Sequence, residues 1–203
     1  MDTPTIDFWV SIGSTYSYLS VMRIEEVAKA NGIRFRWRPF SVRSIMVEQN
    51  NIPFRGKPVK MHYMWRDIER RAQKYNLPAR LPAPYPLSEF DLANKVAIVG
   101  EDKDWGKAYI QAAYRRWFQN GEEAGSEPNL SDSLREAGQR PEAIIEEARS
   151  ESIERRYQQA TQDAKSLGIF GSPTFVVNGE IFWGDDRLDD AISWLRHGRV
   201  QSE

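Results

Sequence analysis

Three short stretches hold the residues that bear most directly on chemistry: Ser14-Thr15-Tyr16-Ser17, Gly171-Ser172-Pro173 and Asp185-Asp186. The first sits where an apolar run gives way to a helical pattern. A helix N-terminus presents unpaired N–H groups and the positive end of the helix dipole, so a thiolate or carboxylate is stabilised there. A serine hydroxyl at such a turn can donate a hydrogen bond to a thiolate supplied from outside. It can equally be a plain N-cap, and the turn alone leaves both readings open. Any sulfur nucleophile must be borrowed, because the 203-residue chain contains no cysteine. That excludes disulfide scaffolds, intrinsic thiolate catalysis and cysteine-ligated metals. Pro173 stands where a strand begins and a missing N–H is tolerated. Taken locally its peptide bond is expected trans, since cis is the minority form at about 5% of X-Pro bonds. Asp185 and Asp186 precede a helical pattern and are natural N-caps.

Composition narrows the classes further. Hydrophobic residues make up 40% and charged residues 28%, which suits a soluble globular protein. The net charge of −1 gives no broad field for nucleic acid or anionic membrane. The period-2 spacing of Arg34, Arg36 and Arg38 suggests the solvent face of a strand. Residues 1–10 carry Asp2 and Asp7 and lack a basic segment followed by an apolar core, so a secretory leader is not expected. No apolar run approaches the ~20 residues of a membrane helix, and a cytoplasmic location is the expectation. The two histidines, His62 and His197, lie far apart in sequence, so no metal site is expected; His62 reads as a helix-surface or packing residue.

The elements that must position these residues follow from periodicity. Ile6-Asp7-Phe8-Trp9-Val10 reads as a central strand, and a helix carries Tyr18, Leu19, Met22, Ile24 and Val27 until Asn31-Gly32 stops it. Ile33, Phe35 and Trp37 make a second strand that Pro39 ends. This β-α-β unit predicts a parallel pair. Between residues 41 and 167 hardly a strand is convincing. Helices are expected from Pro58 to about Tyr75 and over about 88–100, 102–120, 131–138 and 141–167. An extended proline-rich connector, Leu81 to Pro86, lies among them, and Trp105, Tyr109, Ala112, Ala113 and Trp117 form a core stripe. Near the end, Thr174–Val177 and Glu180–Trp183 flank Asn178-Gly179, a strong signature of a two-residue hairpin. A final helix spans about Leu188 to His197. The fold class is therefore α/β: a thioredoxin-like fold, β-α-β … β-β-α, built from residues 1–40 and 168–203. A large all-helical domain, residues 41–167, is inserted between the two parts.

In that fold the turn at Ser14 and the bend at Ser172-Pro173 meet, and S-T-Y-S occupies the place of a redox C-x-x-C. Several motifs resemble the kappa-class glutathione transferase family and, within it, the 2-hydroxychromene-2-carboxylate isomerases. They are D-F-W and G-S-T-Y-S-Y-L over residues 7–19, R-P-F over 38–40, and Asn51, Pro53, Pro58, Lys60 and Tyr63. G-I-F-G-S-P-T-F-V-V-N-G over 168–179 and W-G-D-D-R-L over 183–188 complete the set, so the resemblance spans essentially the whole chain. It implies glutathione as cofactor, with Ser14 contacting its sulfur. Ser172 would offer main chain to the cysteinyl part, ahead of a cis Pro173 that reverses the local expectation. Asp185 and Asp186 match the place of the γ-glutamyl end, and Asn51 and Lys60 match polar residues lining the site; capping and an exposed helix charge are the plainer readings. The family's S-P-x-S has Thr15 in place of proline, and Tyr85-Pro86-Leu87-Ser88 matches its proline-phenylalanine-asparagine segment only loosely. Both departures are expected to line the substrate side.

The resemblance implies a glutathione-dependent cis–trans isomerase of 2-hydroxychromene-2-carboxylate, or of a related aromatic carboxylate from aromatic catabolism, working as a homodimer. A kappa-type transferase or peroxidase on other electrophiles is the enzymatic rival. A catalytically idle thioredoxin-like binding module is the rival of another class.

Overall fold

The computed structural model describes residues 3–201, so the leader reading at Met1 and Asp2 lies outside the described residues. Strand β1 (Thr5–Val10) places Ile6, Phe8 and Val10 in the core, as its nearly continuous apolar run requires. The expected first helix is two helices, α1 (Ser17–Val21) and α2 (Ile24–Asn31). Arg23 leaves the helical ladder between them and turns its guanidinium toward Asp185, a long-range pull invisible in the local pattern. Gly32 then caps α2 in the left-handed conformation at φ 64°. Strand β2 (Arg34–Pro39) runs parallel to β1, from Thr5 opposite Arg34 to Val10 opposite Pro39.

A helical block follows. Helix α3 (Val42–Glu48), which the sequence reading did not anticipate, starts at Ser41, whose hydroxyl accepts from the Ser44 N–H. Helix α4 (Pro58–Lys74) begins with proline in its first turn, where the missing N–H costs nothing. Residues 81–86, expected as an extended connector, form an irregular segment with bends and cis peptides at Leu81-Pro82 and Tyr85-Pro86, and Tyr85 packs edge-on to Phe54 and Trp65. Helices α5 (Phe90–Val99) and α6 (Asp104–Arg115) come next, and α6 runs into a π-turn at Arg116–Asn120. After α7 (Asn129–Glu136), the expected long helix is divided into α8 (Pro141–Ala148) and α9 (Glu151–Ser166). The break falls at Ser150, whose hydroxyl accepts from the Ile153 N–H and restarts the ladder. The aromatic stripe is core: Tyr109, Ala112, Ala113 and Trp117 are buried and Trp105 packs half-buried beside them.

Strands β3 (Thr174–Val177) and β4 (Glu180–Trp183) form the hairpin, with Asn178 and Gly179 at φ 51° and 87°. The four-stranded sheet has the order β2-β1-β3-β4, and β3 lies antiparallel to both neighbours. A 3₁₀ turn, Asp185–Arg187, leads into α10 (Leu188–His197). Sheet and helices share one contiguous hydrophobic core. On the sheet side Phe8 stacks on Phe175 at 5.3 Å, and on the helical side Tyr18 stacks on Phe118 at 4.3 Å. Each such side chain contributes roughly 1.5–3 kcal/mol by burial. The fold thus clamps the turn after β1 between the β3 end of the sheet and the inserted helices.

Candidate active site

The turn after β1 is held from the helical side by two buried side chains. Asn94 on α5 accepts from the Ile12 N–H and donates to the Ile12 and Phe90 carbonyls, at 2.8, 2.8 and 2.9 Å. Tyr114 on α6 donates to the carbonyls of Ser11 and Ser14, both at 3.0 Å. Burial pushes the Tyr114 phenol far above its ordinary value, so it stays a proton donor. Gly13 sits at φ 116°, and a Cβ there would lie 2.4 Å from the Phe90 ring. Only glycine fits that approach.

On the sheet side the same turn meets the bend before β3. The Ser14 hydroxyl donates to the Ser172 carbonyl at 2.5 Å. The Ser172 hydroxyl accepts from the Ser11 N–H and shares a hydrogen bond with the Ser17 hydroxyl, both at 3.0 Å. The Ser172–Pro173 peptide is cis. Gly171 lets this bend pass under Trp183, whose indole nitrogen would lie 2.2 Å from a Cβ at that position. No side chain caps α1, so Ser14 and Ser17 are not its caps. Since α1 has only five residues, the serine hydroxyl rather than a helix dipole is the local donor.

Clefts open on both sides of this junction. The more polar of the two, of about 310 Å³, is lined by Tyr16, Asp67, Arg71, Ser172 and Asp186 together with Pro173 and Trp183. Tyr16 donates to Asp67 at 2.9 Å, and burial followed by that carboxylate pushes its phenol well above the ordinary range. The other, of about 590 Å³, starts at Gly13 and is walled largely by apolar groups such as Met46, Phe54, Tyr85 and Leu87.

Ser14, Ser172, Pro173 and Asp186 are therefore brought together, while other expectations need correction. Neither Asp185 nor Asp186 caps α10: its N-cap position is Arg187, and no side chain caps it. Asp185 is buried, with its carboxylate committed inside the protein. One oxygen accepts from Arg23 at 2.9 Å and Ser20 at 3.1 Å, and the other accepts from Arg71 at 2.6 Å. It also lines the cleft of about 310 Å³, beside Arg71. Asp186 is half-exposed beside Arg187 and keeps its carboxylate at the polar cleft. Asn51 and Lys60 line neither cleft. Asn51 is exposed, and the Lys60 ammonium stands outside, 5.9 Å from the Phe54 ring centroid. Thr15 does not line the substrate side either, because it is buried with its hydroxyl on the Met64 sulfur at 3.1 Å. Tyr85, Pro86 and Leu87 do line the apolar cleft. Sequence reading missed Asn94, Tyr114, Asp67 and Arg71. The one available signal was the 67–71–75 spacing of Asp67, Arg71 and Tyr75, which sets the first two on one face of α4 and Tyr75 at its C-cap below them.

Comparison with known proteins agrees with the fold. The DSBA-like thioredoxin domain family matches residues 5–195. The chain belongs to that family. Among curated relatives, it is 31% identical over 195 residues to a 2-hydroxychromene-2-carboxylate isomerase from Sphingobium xenophagum, covering 95% of this chain and 98% of that one. It is 25% identical over 185 residues to the Pseudomonas putida protein of the same name, covering 90% of each. A solved 2-hydroxychromene-2-carboxylate isomerase superposes with a TM-score of 0.83 at 24% identity, covering 96% of this chain and 97% of that one. A probable DsbA oxidoreductase from Streptomyces coelicolor shares the fold, with a TM-score of 0.72 at 16% identity over 98% of this chain and 92% of its own. This DsbA-like chain has no cysteine, so dithiol exchange is closed to its own side chains.

Proposed function

We propose that this protein is a glutathione-dependent cis–trans isomerase of 2-hydroxychromene-2-carboxylate or a related aromatic-catabolism intermediate. The observation that carries this reading is the Ser14 hydroxyl on the Ser172 carbonyl: Ser172 lines one cleft and Gly13, the neighbour of Ser14, lines the other, with Ser14 between them. The names of the curated relatives support the isomerase class. The donor set of the polar cleft suits a zwitterionic tripeptide. Asp186 offers a carboxylate for an α-ammonium, Arg71 a guanidinium for a carboxylate, and Ser172 main chain for a peptide unit. Glutathione held there would supply a thiolate that adds transiently to a conjugated double bond and leaves again, with no net redox change.

The chain's own groups then have separable tasks. Ser14 donates a hydrogen bond toward the sulfur position. Tyr114 and Asn94 fix the main chain that carries it. Arg71, oriented by Asp185, and Asp186 set the charge pattern of the polar cleft. The apolar cleft holds the planar substrate away from water. By family resemblance we also propose a homodimer, which sedimentation equilibrium tests.

Calorimetric titration with reduced glutathione and a spectrophotometric isomerisation assay are the decisive measurements. Binding together with glutathione-dependent isomerisation is the expected result. Conjugation of other electrophiles without isomerisation would move the protein to the transferase class. No binding at millimolar glutathione would leave an idle thioredoxin-like module.

A further inference from the structure

The apolar cleft on the Gly13 side has an uneven charge. Two arginines, Arg43 and Arg55, line it and no carboxylate does. The chain as a whole is balanced at 28 basic and 29 acidic residues, so a cationic, otherwise apolar cleft departs from the general surface. Arg43 is also held in a defined orientation. Its guanidinium carbon stands 4.4 Å from the centroid of the Phe90 ring, and its Nη2 donates to the Leu87 carbonyl at 3.2 Å. Among the described residues no carboxylate lies within ion-pair distance of it.

A guanidinium carries five donors in a planar fork, and one bond to Leu87 leaves most of them available. The Phe90 ring beneath it and the bond to Leu87 hold that fork in place, so less side-chain freedom is lost when an anion pairs with it. The same Phe90 ring lies against Gly13, the neighbour of Ser14. The cation therefore sits one aromatic ring away from the main chain of the serine. Aromatic and sulfur-bearing walls, Phe54, Tyr85, Met46 and Met61, enclose a slot suited to a flat conjugated body. Lys60 stands outside this slot.

We infer that Arg43 is the specificity-determining residue of the apolar cleft, pairing with the carboxylate of a planar conjugated carboxylate whose body lies against Phe54, Tyr85 and Leu87. The inference rests on reading the Ser14 junction as an isomerase site. It places the anion-recognising charge on Arg43, which lines the cleft, and not on Lys60, which does not.

The probes are trans-cinnamate and its uncharged amide, cinnamamide, titrated into the purified full-length protein with ligand-observed NMR as the readout. The wild-type protein is expected to prefer cinnamate. Arg43→Gln should weaken cinnamate about tenfold and leave cinnamamide unchanged, the size expected for loss of one charge-assisted pair. Arg43→Lys should recover part of the loss, since it restores the charge without the fork. Equal weakening of both probes in Arg43→Gln would make Arg43 a packing residue and overturn the inference. So would an unchanged cinnamate affinity, a wild-type protein that binds neither probe, or a loss that appears in Lys60→Gln instead. Isomerase turnover is followed separately. Turnover that survives Arg43→Gln with unchanged KM sinks the inference alone. An Arg43-dependent preference for cinnamate without turnover sinks the isomerase reading alone.

Discussion

The Ser14 hydroxyl donates to the carbonyl of Ser172 at 2.5 Å, across 158 residues of sequence. The hydroxyl proposed to face a thiolate and the carbonyl proposed to pair with a ligand's main chain thus occupy each other. A carbonyl accepts two hydrogen bonds, so a ligand N–H can join Ser14 on Ser172, and the hydroxyl reaches the ligand's sulfur only by exchanging that partner.

Ser14→Ala separates that role from folding. Loss of one neutral hydrogen bond at a partly buried site costs about 1 kcal/mol of stability. Loss of a preorganised donor to developing charge costs about a hundredfold in turnover. The expected outcome is a folded protein with kcat down by that order, checked by urea denaturation beside the isomerisation assay. Turnover close to wild type would reduce Ser14 to a structural donor.

Asp185 tests the support behind the polar cleft. Its buried carboxylate joins Arg23 from the break after α1, Arg71 from α4 and Ser20 from α1. Asp185→Asn leaves two partly buried guanidinium groups without their counter-charge, at a cost of about 3 kcal/mol. It also frees Arg71 to swing. Stability should fall by that amount in denaturant, and glutathione affinity should fall in calorimetry even well below the melting temperature. Asp186→Asn, at an exposed position, should lower affinity with no comparable loss of stability.

The hairpin was legible in the sequence because its determinant is local: Asn178-Gly179 tolerates the positive φ angles that a tight turn imposes. The β-α-β opening and the Pro58 helix start were legible for the same reason. The helix boundaries that were misplaced depend on contacts distant in sequence or on a single hydroxyl. Arg23 breaks its helix to reach a residue 162 positions away, and Ser150 divides what reads as one charged helix. The site was half legible. Ser14, Ser172 and Asp186 could be matched by motif, but Asn94, Tyr114 and Arg71 act across 82, 100 and 114 residues and leave no pattern where they sit. Asp185 shows the limit most sharply, since a carboxylate before a helix looks like a cap until its partners are known.

Asn94 and Tyr114 are predicted to be positioning residues. Asn94→Ala leaves the buried N–H and carbonyl of Ile12 without partners, for a loss of about 3 kcal/mol in thermal or chemical denaturation. Tyr114→Phe removes only the donor to the Ser11 and Ser14 carbonyls and keeps the ring in its stack against Trp117 and Phe118. Its stability cost should be about 1–2 kcal/mol. Turnover should drop with KM nearly constant, because the serine loses its fixed place while both clefts keep their walls. A KM effect with kcat intact would point to cleft collapse instead.

Tyr109 and Tyr114 also set a limit at alkaline pH. Both phenols are buried, and burial pushes each far above the ordinary value of about 10. A folded-state value above the unfolded one means that the stability it contributes is fully present below about pH 10. Above that, the unfolded chain releases protons that the folded chain retains, and each tyrosine costs about 1.4 kcal/mol per pH unit. Urea midpoints should hold steady toward pH 10 and then fall steeply, faster in the wild-type protein than in Tyr114→Phe. Tyrosinate absorbance should rise near pH 10 in denaturant but lag in the native protein. Coincident titration of native and unfolded samples would show that these phenols are not sealed in the core.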